Sequence, residues 1–534
     1  MPPRVAPILA HVVPFGTMRV TMQPVTYIDS RGLDDSRPTF SEVVVRGIAP
    51  GGGLYVPERL PSFTLPEILE LAGQPYWRRA AAVFARFGVD VPEERIAALV
   101  QSAYGSQWDD ERIAPVVEVV ADTHILELWH GPTSAFKDMA LQCMPLFFSE
   151  AVDRMQASGG LADDYLVLVA TSGDTGKAAL EGFADRAHTG IVVFYPAGGV
   201  SDIQRLQMVT QRGDNVGVFG VRGNFDDCQN AVKAAFNDAA FNAELHAERG
   251  LRLSSANSIN WGRLLPQIAY YVSAYADMVA EGGVKPGSPM DVCVPTGNFG
   301  NILGAYYARR IGVPIGRLLC ASNENNVLVD FIATGTYDIS DRAFVTTPSP
   351  SMDILISSNL ERLLYELAGA EAVRGWMAEL AENRRFTVDR DTFAAVRELM
   401  IADWVTNDES LDIIKRVYDE YGYLMDPHTA VAWEVAERLR GEDPVLVVST
   451  AHWAKFGADV FRALTQTAYA APLAADAATL SGLELLDEVR RLAPDAGPVP
   501  APLAEIAMLP ERFGAVVDAG REGIENAVRE WFAR

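Results

Sequence analysis

Lysine is scarce in this chain. Of 534 residues only six are lysines, Lys137, Lys177, Lys233, Lys285, Lys415 and Lys455, so chemistry that needs a primary amine has a short list of carriers. Positive charge is short overall, with 45 basic against 70 acidic side chains and a formal charge of −25. A field of that sign repels phosphate backbones and anionic lipid surfaces, so neither nucleic acid nor a membrane is expected as a partner. An anionic substrate must then be captured by local donors. The four cysteines, Cys143, Cys228, Cys293 and Cys320, lie far apart and form no Cys-x-x-Cys pair. That spacing argues against a disulfide framework or a metal site and points to a reducing, cytoplasmic compartment. No run approaches the ~18 uninterrupted apolar residues of a membrane span. Residues 5–15 are apolar but are interrupted by Pro7, His11 and Pro14. They read as a short extension with Met18 or Met22 as alternative starts, not as a cleaved leader.

What is present is ordinary globular composition, 49% hydrophobic and 22% charged. The length corresponds to about three to four domains' worth of chain. Residues 20–60 mix short β-type runs, such as Val43-Val-Val45, with the turn Ala49-Pro-Gly-Gly-Gly53, and Leu65–Leu99 carries apolar residues at helical spacing. From about residue 115, apolar β-branched runs alternate with helical stretches: Val116–Val120, Tyr165–Ala170, Ile191–Tyr195, Val216–Val221, Val292–Val294, Leu318–Ala321 and Val445–Ser449. Apolar strands between helices predict largely parallel sheets covered on both faces, with ligands beyond the carboxyl ends of the strands. After residue 470 an Ala-rich stretch and a proline-punctuated linker lead to the amphipathic segment Arg521–Arg534.

Three of these strands end in loops of unusual composition. Thr171-Ser-Gly-Asp-Thr-Gly176 follows the first, before a helix at Lys177, and presents hydroxyls, backbone N–H groups and a helix N-terminus to an anion. It is not a Walker A loop, because Thr171 and Ala178 stand where that motif needs Gly and Ser/Thr. Pro295-Thr-Gly-Asn-Phe-Gly-Asn301 forms a second nest, in which glycines let N–H groups converge and Asn298 and Asn301 add amides. Thr450-Ala-His-Trp-Ala-Lys-Phe456 groups a hydroxyl, an imidazole and a lysine. Each has a plainer alternative: a tight βα connection, an ordinary turn, and a satisfied structural histidine. Two nests in one α/β protein suggest a phosphorylated cofactor plus a second anionic group. Upstream, Lys137 stands at a helix start beside Phe136, where it opposes the helix dipole. Desolvation there would lower its pKa and suit Schiff-base formation with an aldehyde; the alternative is a solvated surface lysine. Lys233 and Lys415 lie in helical contexts and Lys285 in a Gly-Pro turn, while Lys177 sits behind a nest and Lys455 follows the third loop. Lys137 is the best placed of the six.

His130-Gly-Pro-Thr-Ser-Ala-Phe-Lys-Asp138, Ala170-Thr-Ser-Gly-Asp-Thr-Gly176, Ser255-Ala-Asn-Ser-Ile-Asn260 with Arg263 and Gln267, and Gly297-Asn-Phe-Gly300 occur in that order. Ser30-Arg-Gly32, Gly52-Gly-Leu-Tyr-Val-Pro57 and Asp426-Pro-His-Thr-Ala430 flank them. Over about residues 27–465 the chain thereby resembles the threonine synthase family, pyridoxal-phosphate enzymes related to the tryptophan synthase β subunit. It departs at Trp453, where that family usually has proline in Thr-Ala-His-Pro-Ala-Lys-Phe. The resemblance implies an α/β protein of pyridoxal-phosphate fold type II. Two open, mostly parallel sheets are flanked by helices, with a small N-terminal subdomain and a C-terminal helical extension. The corresponding division is 1–100 for the N-terminal subdomain, 101–145 with 260–470 for the larger cofactor-binding domain, 146–259 for the smaller one and 471–534 for the extension.

The resemblance further implies that Lys137 carries pyridoxal 5'-phosphate and serves as the catalytic amine. Gly297, Asn298, Phe299, Gly300 and Asn301 would hold the cofactor phosphate, and Thr450 would meet the pyridine nitrogen. Ser172, Asp174, Thr175, Asn257, Arg263 and Lys455 would surround the substrate's carboxylate and phosphate. The implied reaction turns O-phospho-L-homoserine and water into L-threonine and phosphate, by γ-elimination and β-replacement, in a cytoplasmic monomer or homodimer. Two alternatives stand beside it: a phospho-lyase that releases 2-oxobutyrate and ammonia, and a catalytically silent metabolite-binding protein.

Overall fold

The computed structural model describes residues 24–159 and 163–532; the extension with its starts at Met18 or Met22 lies outside the described residues. In chain order, β1 (Tyr27–Asp29) and β2 (Tyr55–Pro57) pair antiparallel in the leading segment. β3 (Val116–Val120) and β4 (Thr123–Glu127) follow. Then come β5 (Asp164–Ala170), β6 (Thr189–Pro196), β7 (Val216–Arg222) and β8 (Leu251–Ser254). β9 (Met290–Pro295) and β10 (Ile315–Ser322) precede a short antiparallel pair, β11 (Thr336–Asp338) with β12 (Arg385–Thr387). β13 (Met400–Trp404), β14 (Val445–Ser449) and β15 (Val516–Asp518) complete the set.

Two sheets organise the molecule. One has the order β13-β10-β9-β14-β4-β3 and is parallel except where β3 meets β4; the other, β15-β7-β6-β5-β8, is parallel throughout. Central strands such as β6, β9 and β14 are buried along their whole length, because helices cover both faces of a parallel sheet. The helix Trp261–Glu281 runs through the largest core, packed against Gly300–Arg310 and Tyr76–Arg86. Lys137, Asp174, Gly300 and Trp453 all follow the carboxyl ends of parallel strands or the loops that leave them.

Several local expectations change. Val43-Val-Val45 is helical, within Phe40–Arg46. Thr39 and Glu42 form a capping box at its start, Gly47 ends it at φ 75°, and Phe40 meets Phe147 with ring centroids 5.7 Å apart. Capping and a buried face outweigh the β preference of three valines. The helical region expected over Leu65–Leu99 is three separate helices, Leu65–Leu69, Tyr76–Arg86 and Glu93–Ala103, the last running past it. The helix at Lys137 ends at Leu141, and a second begins at Met144.

The C-terminal segment contains helices at Gly482–Leu492 and Arg521–Phe532, but it also donates β15 to the edge of the smaller sheet. Leu486, Val489, Leu503 and Ile506 share a core with Trp453, whereas Ile524, Ala527 and Val528 share one with Cys228 and Val232 under the five-stranded sheet. Trp531 lies across Gly190 and Gly217, where an added Cβ would come within 2.6 and 2.8 Å of the indole. Among the described residues no helix is long and apolar enough to cross a membrane.

Candidate active site

The lysine motif is stitched to the loop that follows β14. Phe136 N–H donates to Thr450 O at 2.8 Å and His452 N–H to Ser134 O at 3.1 Å, with a β-bridge between Ala135 and Ala451. Asp138 folds back to accept from the Thr133 amide at 2.8 Å and hydroxyl at 2.7 Å. Burial pushes its carboxyl up to about 6 against those hydrogen bonds. Lys137 is thereby held at the first residue of its helix, 8% exposed, with Nζ 3.1 Å from Ser351 Oγ, 3.8 Å from Asp174 Oδ2 and 4.7 Å from the Phe136 ring centroid. Burial lowers the amine to about 8; Asp174 opposes that shift, and Arg263 and Lys455 add to it.

Asp174 opens the helix Asp174–Phe183 behind β5 and is 3% exposed. Its Oδ1 lies 3.1 Å from Lys455 Nζ and accepts from Gln204 Nε2 at 3.0 Å, and its Oδ2 accepts from Ser351 Oγ at 3.3 Å. Burial alone would raise this carboxyl, but Lys455, Lys137 and Gln204 hold it well below the ordinary range. Lys455 is wholly buried: beyond Asp174 it donates to Thr133 O and Gln207 Oε1, both at 2.8 Å. Two hydrogen bonds and the ion pair with Asp174 thus engage the ammonium within the protein, and they tie helices of the smaller sheet's region to the lysine motif.

The nest after β9 is built differently from an open glycine turn. An added Cβ on Gly297 would come within 2.6 Å of Ser351 O, so this glycine is required by the approach of the turn Pro350–Met352. Phe299 is left-handed at φ 62°, a conformation costly for a large side chain, just before the helix Gly300–Arg310. Such an alternation turns successive N–H groups toward one point. Asn298 is exposed and accepts from Ser358 Oγ at 3.1 Å. Asn301 accepts from Tyr270 and Tyr271 at 2.6 and 2.5 Å while its Nδ2 has no partner among the described residues. Arg263 donates from Nη1 to Ala256 O at 3.0 Å, leaves Nε unpartnered and is lowered to about 10 by burial. Gln267 Oε1 and Ser134 Oγ are likewise buried without a partner among the described residues. An unmet buried donor or acceptor costs about 1–3 kcal/mol, so these four atoms are the ones a bound ligand could satisfy.

Thr450 is buried with its hydroxyl uncommitted, and the hydroxyls of half-buried Ser172 and Thr175 make no hydrogen bond among the described residues. Asn257 is exposed, and its carbonyl accepts from Asn260 N–H at 3.0 Å. The sequence reasoning missed Ser351, Gln204, Gln207 and the partnership of His428, whose Nε2 accepts from Ser351 N–H at 3.1 Å. Thr347-Pro-Ser-Pro-Ser351 signals a turn and nothing more, since its chemistry comes from the segment it meets. His452 is a structural residue: its Nδ1 accepts from Ala454 N–H at 3.1 Å, and burial pushes it down to about 3. Trp453 donates to Ala496 O at 3.3 Å, in the C-terminal segment.

A buried amine of lowered basicity, a strained nest at a helix N-terminus and an uncompensated guanidinium now stand together. The chain matches the family models described as threonine synthase N terminus over residues 26–104, pyridoxal-phosphate dependent enzyme over 121–451 and threonine synthase, C-terminal, over 429–528. It is 43% identical over 436 residues to "Threonine synthase-like 1" of Homo sapiens, covering 80% of this chain but only 58% of that longer protein. With the threonine synthase of Saccharomyces cerevisiae it shares 36% identity over 467 residues, covering 82% of this chain and 89% of the relative. The solved structure of pyridoxal-phosphate-bound threonine synthase from Brucella melitensis superposes with a TM-score of 0.81 at 36% identity, covering 95% of this chain and 99% of that one.

Pyridoxal phosphate requires an amine, a phosphate nest and a partner for its ring nitrogen. Lys137, the Gly297–Asn301 loop with its unpartnered Asn301 Nδ2, and the uncommitted Thr450 hydroxyl meet those three needs, so the residues present fit the group. The chain belongs to the threonine synthase family of pyridoxal-phosphate-dependent enzymes.

Proposed function

We propose that this protein is a threonine synthase, converting O-phospho-L-homoserine and water to L-threonine and phosphate. The observation that carries the reading is Arg263, a buried guanidinium that ends on a backbone carbonyl and an unpartnered Nε. It supplies a cation for a substrate anion in addition to the nest for the cofactor phosphate. When bound, pyridoxal phosphate supplies an aldehyde that condenses with amines and a ring that draws electrons from the adjoining carbons.

The chain's own groups account for the rest. Lys137, lowered to about 8, exchanges readily between ammonium and amine, so it is suited to take a proton from the substrate's Cα and to return it. Gly297, Asn298, Phe299, Gly300 and Asn301 would hold the cofactor phosphate, and Thr450 would meet the ring nitrogen as a neutral partner that does not enforce its protonation. Ser172, Thr175, Asn257 and Arg263 receive the substrate's carboxylate and phosphate, with Asp174 and Lys455 as the charged frame behind them. Donors already aimed at the leaving phosphate stabilise the charge that develops as its bond breaks. The regions 101–145 with 260–470, and 146–259, act as larger and smaller domains between the subdomain 1–100 and the extension 471–534. The charge balance and unpaired cysteines fit a cytoplasmic monomer or homodimer.

Supplying the cofactor-loaded protein with O-phospho-L-homoserine tests the reaction. Threonine and phosphate are expected in equal amounts. Release of 2-oxobutyrate and ammonia without threonine would instead identify a phospho-lyase. Absence of any borohydride-fixed cofactor on Lys137 would overturn the enzymatic reading altogether.

A further inference from the structure

Ser351 has no role in the reaction as set out above, yet it touches both charges at its centre. Its Oγ lies 3.1 Å from Lys137 Nζ and 3.3 Å from Asp174 Oδ2, while those two charged atoms are 3.8 Å apart. An ammonium only donates and a carboxylate only accepts, so the direction is fixed: Lys137 donates to the hydroxyl and the hydroxyl donates to Asp174. The hydroxyl bridges the pair from one side, taking an N–H of Lys137 that would otherwise be free to turn to Asp174, for which a direct charge-assisted contact is ~2.8 Å.

The serine is itself held from behind. Its amide donates to His428 Nε2 at 3.1 Å, and His428 Nδ1 faces Asp426 Oδ1 at 2.7 Å, both of these side chains being buried at the start of the helix Pro427–Arg438. Its carbonyl rests against Gly297, where a Cβ would come within 2.6 Å. A turn clamped on two sides keeps the hydroxyl from following its partners. The charged groups facing Lys137 are Asp174 from the helix after β5, Arg263 from Trp261–Glu281, Lys455 from the turn after β14, and Asp426 from the start of Pro427–Arg438. Ser351 is its uncharged hydrogen-bond partner.

We propose that Ser351 is a positioning residue, set by His428 and Gly297 to hold the Lys137 amine out of direct contact with Asp174. A direct ion pair would lock the nitrogen as ammonium and withdraw it from proton transfer. The inference rests on the reading of Lys137 as the reactive amine, and the measurement below separates the two.

In cofactor-free protein, acetylation of Lys137 by acetic anhydride is followed across pH by mass spectrometry of the peptide that carries it. The parent is expected to show a midpoint of about 8. Ser351→Ala shifts it upward by about one pH unit as the ion pair closes, and Ser351→Thr, which keeps the hydroxyl, restores it. A Ser351→Ala midpoint within about 0.3 unit of the parent, in protein of unchanged near-ultraviolet circular dichroism, overturns the proposal. Should the alanine variant fail to fold, Ser351→Cys, with its weaker acceptor, is expected to shift the midpoint by about half a unit, and an unmoved midpoint there is equally decisive. Protein that shows the shift but makes no threonine defeats the proposed reaction and leaves the role of Ser351 standing. Protein that makes threonine without the shift defeats the role of Ser351 alone.

Discussion

Asp174 carries more of this site than any other single residue. Two lysines, a glutamine and a serine converge on one carboxylate that is 3% exposed. Taking such charges out of water is expensive, and only complete pairing offsets the loss. Removing one partner is therefore costlier than the pair's net worth. Lys455→Met is expected to lower the unfolding free energy by about 3–5 kcal/mol, because Asp174, Thr133 O and Gln207 Oε1 all lose the same donor. Denaturant unfolding checks this; a loss below about 1 kcal/mol would show that water replaces the ammonium, as at an exposed pair. Lys137 was legible as a candidate from residue type and its place at a helix start, and Asp174 only through the family resemblance of its loop. That Lys455 faces inward, bonded to two carbonyl oxygens and paired with Asp174, was not, because its partners come from segments more than 240 residues away in sequence.

At the scale of single elements, local rules compete and the strongest combination wins. Three consecutive valines favour extended structure, yet Val43, Val44 and Val45 lie in a helix and are buried on it. Thr39 supplies the reason at one end, accepting from Glu42 N–H while its own amide donates to Glu42 Oε2 at 2.9 Å. Thr39→Ala is expected to cost about 1 kcal/mol, read as a lower urea midpoint at unchanged slope. An unchanged midpoint would mean that packing against Met144–Ala157 alone holds the helix. The strands of the parallel sheets were far easier to read, since burial on both faces leaves an unbroken apolar run. β4, β8 and β13 escaped notice: β4 carries His124 and Glu127, β8 Arg252, and β13 Asp403, which dilute the apolar signal in short strands.

Across the whole molecule, the C-terminal segment is a strap joining both sheets. It is anchored first at Trp453, 2% exposed among Leu486, Val489 and Leu503, in the very loop that carries Thr450 and Lys455. Arg512 and Phe513 amides then donate to Val209 O, and β15 with Trp531 closes onto the five-stranded sheet. The aromatic residue that departs from the family pattern thus has a packing role. Trp453→Ala is expected to cost about 3–5 kcal/mol and to speed proteolytic cutting in the connection 466–480. Disrupting the exposed Arg205–Glu511 pair on the same strap should cost less than about 1 kcal/mol and leave cutting unchanged. Equal effects from the two changes would show that the strap is held by its surface charges instead of its apolar anchor.

The amino-acid sequence by itself determined the α/β class, the parallel strands with their glycine-containing loops and the family, and it singled out Lys137 as the best placed of six lysines. Each of these follows from periodicity or from short motifs whose chemistry is local. Tertiary structure alone decided that Ser351 meets Lys137 across 214 residues, that Lys455 is engaged within the protein, and that the tail adds a strand beside β7, some 300 residues earlier. The physical reason is the same in each case. A hydroxyl, an ammonium or a three-residue strand carries no intrinsic preference for a partner, and what it does is set by whichever buried, unmet group the fold brings within about 3 Å.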